Sequence, residues 1–362
     1  MSVKFVGNVS QRFVDVLKSG DAVFVVVIGT TDTSLIPGIT IAGASPELTH
    51  YTPAADVEFL IDGKCYVIPT PPVTPDGKPT PALISRACIL LTKIPTIVVN
   101  SGCRVLPNIP YIDLRGMPGR DIRTGNALDI EVCRRIFHNA INVGKFLGSN
   151  FDIVILGESI PAGTTTAMAI MVALGFNAWG RVSSASPNNP IELKCRVVRE
   201  AIRRAGVEVF EDPLQAVSAV GDPVHIALAG LTIGIVDSGC RVLLAGGTQM
   251  CAVVSILRKL DFNLDPEFLE IATTRWLVYD RQSDMIGLLS EIWNNYALLI
   301  SEFSLSESKY PGLKAYDEGF VKEGVGMGGM LVTTLLRGFS KSEILSKVEE
   351  EYEKIFKSVP SE

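Results

Sequence analysis

The sequence predicts an α/β protein with a mostly parallel sheet flanked by helices, and three observations predict it. Short, continuous apolar runs stand at Ala22–Ile28, Thr96–Asn100, Ile153–Leu156 and Arg241–Leu244, the pattern of strands buried on both faces. Segments of helical period or helix-forming composition separate them. Two of the strands run into a glycine-containing loop and then a helix, at Gly157–Gly163 and at Ala245–Gln249. In such sheets the loops leaving the carboxyl ends of the strands hold ligands.

In chain order, Gln11–Lys18 reads as a helix stopped by Gly20, followed by the first buried strand and the loop Gly29–Ser34. Glu58–Ile61 and Lys64–Ile68 flank Asp62-Gly63 and suggest a two-residue hairpin. Pro69–Pro81 is a proline-dense loop, and with Gly29–Ser34 it is a candidate rim for a pocket. Ala82–Leu91 is helical, and Asp129–Leu147 is a longer helix on which His138 lies among apolar residues, as a core histidine would. Between them Arg115–Asn126 carries three arginines, suited to phosphate or carboxylate recognition if not simply solvated. Pro190–Ala205 is a basic amphipathic helix, one cation of which, near its start, could reach the central loop. Val207–Phe210 is a candidate strand and Ile226–Val236 an apolar helix. Ser-Gly-Cys-Arg-Val-Leu occurs at 101–106 and 238–243, too short a match to argue duplication. Beyond Pro266 the segments Glu267–Thr274, Ser283–Ile300 and Lys341–Phe356 read as helices.

The chemistry concentrates in two places. From Asp152 to Ala173 a strand, a loop with one acid (Glu158) and a threonine-rich helix start make an anion site, because free backbone N–H groups and the helix dipole point the same way. No lysine follows Gly163, so the loop is not a Walker loop. Near the other end, Glu323 precedes Gly324, Gly326, Gly328 and Gly329. Glycine costs about 1 kcal/mol in a helix interior, so Glu323 is expected on tightly turned backbone at the mouth of a helix, placed as a general base.

Composition narrows the classes. The chain has 362 residues, 47% hydrophobic and 20% charged, a core-rich balance that suggests burial of surface between subunits. A net charge of −6 with no basic run gives no reason to expect nucleic acid. No amino-terminal signal pattern and no apolar run of membrane-spanning length is present. Seven scattered cysteines and three distant histidines form neither a disulfide framework nor a metal-ligand spacing. The expectation is a soluble cytoplasmic protein without a metal.

Four collinear stretches resemble the nicotinate-nucleotide–dimethylbenzimidazole phosphoribosyltransferase family, in its divergent archaeal-type branch. Gly157-Glu158-Ser159-Ile160-Pro161-Ala162-Gly163-Thr164-Thr165 resembles its phosphate loop, and Glu192–Val198 the helix whose lysine meets the phosphate. Val242-Leu243-Leu244-Ala245-Gly246 resembles a strand end that carries aspartate where this chain has Ala245. Glu323-Gly324-Val325-Gly326 resembles the Glu-Gly-Thr-Gly of the catalytic base. The resemblance implies a Rossmann-like large lobe over residues 19–262 and 305–338. It also implies a small helical lobe from 1–18, 263–304 and 339–362, and a homodimer. It implies Glu323 as catalytic base, with Glu158, Gly163, Thr164, Thr165, Lys194 and Gly246 holding ribose and phosphate. The implied partners are nicotinate mononucleotide and an aromatic N-heterocyclic base, with no cofactor and no metal. Two alternatives stay open on the residues: a transferase using a pyrophosphorylated sugar, and a nucleotide sensor without turnover.

Overall fold

A computed structural model describes residues 2–43, 45–69 and 78–357. Its strands are β1 (Val3–Gly7), β2 (Ala22–Gly29), β3 (Thr96–Gly102), β4 (Ile112–Asp113), β5 (Ile153–Ser159), β6 (Arg241–Ala245), β7 (Leu269–Thr274) and β8 (Ala297–Ser301). They form one sheet in the order β1-β8-β7-β6-β5-β2-β3-β4, parallel except where β1 runs antiparallel to β8 at one edge. Every residue of β2, β5, β6, β7 and β8 is buried, as the continuous apolar runs require.

The helices are α1 (Gln11–Ser19), α2 (Thr52–Asp62), α3 (Ala82–Thr92), α4 (Ile130–Gly148), α5 (Gly163–Ala173), α6 (Ile191–Ala205) and α7 (Pro213–Val220). After them come α8 (Pro223–Asp237), α9 (Thr248–Lys259), α10 (Arg275–Val278), α11 (Met285–Ile292), α12 (Pro311–Lys314), α13 (Met327–Leu336) and α14 (Lys341–Lys357). Strand alternation separates two cores. Val23, Val25 and Val27 of β2 meet α4 to α9 and α11 on one face. Phe24, Val26 and Ile28 meet α1, α2, α3, α13 and α14 on the other. The helices of both chain ends thus share one layer, tied by the Arg337 guanidinium donating to the carbonyls of Leu17 and Gly20.

Four sequence expectations are corrected. The hairpin at Asp62-Gly63 is the end of α2, where Gly63 adopts φ 74° and its N–H donates to the Phe59 carbonyl. Asp-Gly signals a left-handed residue, which a helix terminus and a tight hairpin both require. Glu267–Thr274 and the end of Ser283–Ile300 are strands β7 and β8, so residues 263–304 feed the sheet and do not build a helical lobe. Fully buried segments carry no period to separate helix from strand. Val207–Phe210 is irregular, with Val207 and Val209 exposed. His138 is exposed, and the core histidine is His225, wholly buried with Nδ1 2.6 Å from Asp222 Oδ2.

Candidate active site

The carboxyl ends of the central strands open into a cavity of 510 Å3, and α5, α9 and α13 are among the helices that begin at its wall. Two of these starts determine its chemistry.

The first is the start of α5. Ala162 stands immediately before the helix with φ 63°, left-handed backbone that an alanine adopts at a cost of roughly 1–2 kcal/mol. This turn brings Gly163 and Thr164 to the cavity, and no side chain caps the helix. Lys194, buried on α6, donates from Nζ to Thr164 Oγ1 at 3.0 Å and to the Ser183 carbonyl at 2.6 Å. Burial, reinforced by nearby Lys322, lowers the Lys194 ammonium to about 7, so an arriving anion would hold its proton in place. Ser183 and Ser184 line the same end of the cavity.

The second is the start of α13. Gly324, Val325 and Gly326 take φ of 140°, 51° and 67°, three successive left-handed or strained residues. The turn is held by the Val325 N–H on the Glu158 carbonyl at 2.8 Å and by Ser85 Oγ on the Val325 carbonyl at 2.7 Å. A side chain at Gly157 would strike the Gly326 backbone at 2.7 Å, so glycine is what lets β5 and this turn touch. The carboxylate of Glu323 folds back over the helix it precedes. It accepts from the Gly328 N–H at 2.9 and 3.2 Å and from the Gly324 N–H at 3.3 Å.

Glu158, the last residue but one of β5, is buried, with Gln249 Nε2 donating to its Oε1 at 2.8 Å. Burial first, then the neighbouring Glu323, raises Glu158 well above the usual carboxyl range. Burial raises Glu323 to about 8, opposed by the two backbone N–H groups it accepts from. Burial thus favours the protonated form of both carboxyls, and the backbone N–H groups on Glu323 work in the opposite sense, favouring its charge.

Glu323, Glu158, Gly163 and Thr164 of the expected site line the cavity, with Lys194 directly behind Thr164. Thr165 does not line it: its hydroxyl is enclosed, without a partner among the described residues. Nor does Gly246, which packs on Met250, while the next residue, Gly247, lies on the wall. Arg120 and Arg123 of the arginine loop are paired with Asp129 and Asp121 and lie outside the lining. Gly29–Ser34 also falls outside the lining; the nearby stretch Ile39–Gly43 supplies rim. Of the proline-dense loop, residues 70–77 lie outside the described residues, and Pro69 and Lys78–Pro81 form part of the wall. The sequence reading missed Gln249, Lys322 and Asp56. Lys322, buried, donates to Asp280 Oδ2 at 2.8 Å and the Ser186 carbonyl at 2.9 Å, holding the serine segment beside the cavity. Its position beside Glu323 was the one available signal.

A parallel sheet whose strand ends present an uncapped helix start, a buried lysine and a helix-held carboxylate suits transfer of a phosphorylated sugar. Residues 92–269 match the family model described as Phosphoribosyltransferase. The chain belongs to the family of the UPF0284 proteins. It is 51% identical over 338 residues to the UPF0284 protein of Pyrobaculum calidifontis, covering 93% of this chain and 97% of that one. With the UPF0284 protein of Sulfurisphaera tokodaii it shares 48% identity over 341 residues, 94% of this chain and 96% of the other. Its fold is similar to the crystal structure of nicotinate-nucleotide-dimethylbenzimidazole phosphoribosyltransferase from Thermus thermophilus. That match has a TM-score of 0.61 at 17% identity, over 91% of this chain and 84% of the other. No helix among the described residues is long and apolar enough to cross a membrane.

Proposed function

We propose that this chain moves the 5-phosphoribosyl group from nicotinate mononucleotide to a benzimidazole-like or purine base, as a homodimer, yielding an α-riboside phosphate for the lower ligand of a cobamide. The observation that carries the reading is Glu323, a carboxyl raised toward neutrality and fixed over a cavity that also contains an anion-binding helix start. In nicotinate mononucleotide the leaving group is already a pyridinium. Its C1′–N bond breaks with the electron pair returning to the pyridine nitrogen, as the acceptor nitrogen forms its bond to C1′ from the opposite face. The acceptor's N–H proton goes to Glu323, and free nicotinate departs. Proton transfer to a positioned base contributes typically ~10²–10⁴-fold.

The start of α5, Thr164 and Lys194 would hold the 5′-phosphate, contributing position rather than bond making. Glu158 and Gln249 would orient the ribose hydroxyls, the second through an Oε1 that has no hydrogen-bond partner among the described residues. The apolar wall of Ile39, Leu48, Tyr51 and Pro81 suits a planar heterocycle.

A donor comparison tests this reading. Purified protein is given nicotinate mononucleotide, or the 1-pyrophosphorylated sugar with Mg2+, together with 5,6-dimethylbenzimidazole or adenine, and products are identified by mass spectrometry. Riboside phosphate from the mononucleotide without Mg2+ supports the proposal. Product only from the pyrophosphorylated sugar contradicts it, and binding of the mononucleotide without any product points to a sensor.

A further inference from the structure

Asp56 has no part in the chemistry above, yet it lies on the cavity wall. It projects from α2, is 4% exposed, and stands among Tyr51, Thr52, Ala55 and Thr80 of the lining. Thr80 Oγ1 donates to its Oδ1 at 2.6 Å and Ser159 Oγ to its Oδ2 at 2.7 Å. Among the described residues no cation acts on it. A buried carboxylate without a counter-charge is costly unless its lone pairs are used, and the two hydroxyl donors found among the described residues fill about half of its capacity of roughly four acceptor sites. The two hydroxyls also fix its orientation, since each oxygen is tied to a different element, Thr80 just before α3 and Ser159 at the end of β5.

Resting on the transferase reading, we infer that Asp56 selects the acceptor base: it accepts a hydrogen bond from a donor on the heterocycle other than the nucleophilic N–H, such as an exocyclic amino group. The placement supports this. Thr80 and Pro81 connect the two acids along the wall: Thr80 binds Asp56, and Pro81 packs on Gly324 beside Glu323. A flat base lying along that segment meets Glu323 at one edge and Asp56 at another. Burial raises Asp56 only to about 6, so at pH 8 it is an ionised acceptor. A site built to hydrogen-bond one polar group discriminates strongly against the analogue lacking it, because its own buried group is then left unpaired.

The test uses purine and adenine, which differ by one amino group, and benzimidazole and 4-aminobenzimidazole as a second matched pair. Affinity for the full chain is measured by calorimetry at pH 8, so the result does not depend on turnover. In at least one pair the aminated member should bind at least tenfold more tightly to the wild type, and in Asp56→Asn this ratio should fall to about one. A merely structural role would weaken both members alike and leave the ratio standing. Equal binding within both pairs, or an amino preference that survives Asp56→Asn, overturns the inference even if the protein turns over nicotinate mononucleotide. An amino preference abolished by the substitution upholds it even if no turnover is found. Should Asp56→Asn fail to fold by circular dichroism, Thr80→Val, which removes one of the two orienting hydroxyls, takes its place and must reduce the same ratio.

Discussion

The starts of α5 and α13 are built alike and differ in what occupies them. Each follows a left-handed residue, Ala162 before one and Gly326 before the other, and each faces the cavity at the carboxyl end of the sheet. At α5 no side chain caps the helix, and a buried lysine supports its first turn. At α13 the Gly328 N–H in the first turn is taken by the chain's own carboxyl, Glu323. In the proposed reading, one start is left for an anion that arrives, and the other holds a carboxyl of the chain itself that serves as the base. A helix N-terminus favours negative charge in both cases, and what differs is whether substrate or protein supplies it.

The largest disruption of this contrast should come from Gly328→Ala. A β-carbon there falls 2.4 Å from Glu323 Oε1 and 2.4 Å from Thr273 Cα, so the carboxylate must leave its N–H groups. We expect a loss of catalysis approaching ~10²-fold or more, with destabilisation of about 1–3 kcal/mol read from thermal melting. At the other start, Lys194→Met should raise the KM for nicotinate mononucleotide by roughly 10–100-fold, the worth of a charged hydrogen bond, with a smaller change in kcat. Lys194 is charged below about 7 and loses its proton above it, so wild-type affinity for the phosphate should weaken as pH rises through that region while the variant's stays flatter.

Away from the site, Glu270 provides the control. It is buried on β7, accepts from the Ser10 N–H at 2.7 Å, has one oxygen without a partner among the described residues, and is raised by burial to about 8. The folded chain therefore keeps a proton that the unfolded chain releases above about 4.5, and stability falls as pH rises between those values. Glu270→Gln should raise stability at pH 8 by on the order of 1–3 kcal/mol, measured by denaturant unfolding, and lose that advantage near pH 4. Nicotinate release should not change. The smallest effect is expected from Ala162→Gly, which relieves the left-handed strain before α5 and should shift stability by no more than about 1 kcal/mol in either direction.

Much of this was legible in the residues. The continuous apolar runs marked β2, β3, β5 and β6 because strands buried on both faces leave no polar alternation to misread. The same property hid β7 and β8, whose buried runs carry no period and whose flanks suggested helix. Glu158, Thr164 and Glu323 stood out because a lone acid beside glycines and a threonine-rich helix start are chemically conspicuous, whereas Lys194, one cation of a basic helix, was singled out only by the family resemblance. Asp56 and Gln249 did not, since each is an ordinary residue on a helix until the fold turns it toward the cavity. Gly246 was a one-residue miss: the register of the turn after β6 brings Gly247 to the wall instead.

The most direct test of the central claim is release of nicotinate from nicotinate mononucleotide, with and without an acceptor base, in the wild type and in Glu323→Gln across pH 6–9. The account predicts release that requires the base, rises with pH through about 8, and falls by ~10²–10⁴-fold in the variant with that pH dependence gone. Release in Glu323→Gln equal to the wild type would contradict Glu323 as the proton acceptor, and with it the assignment of opposite roles to the two helix starts.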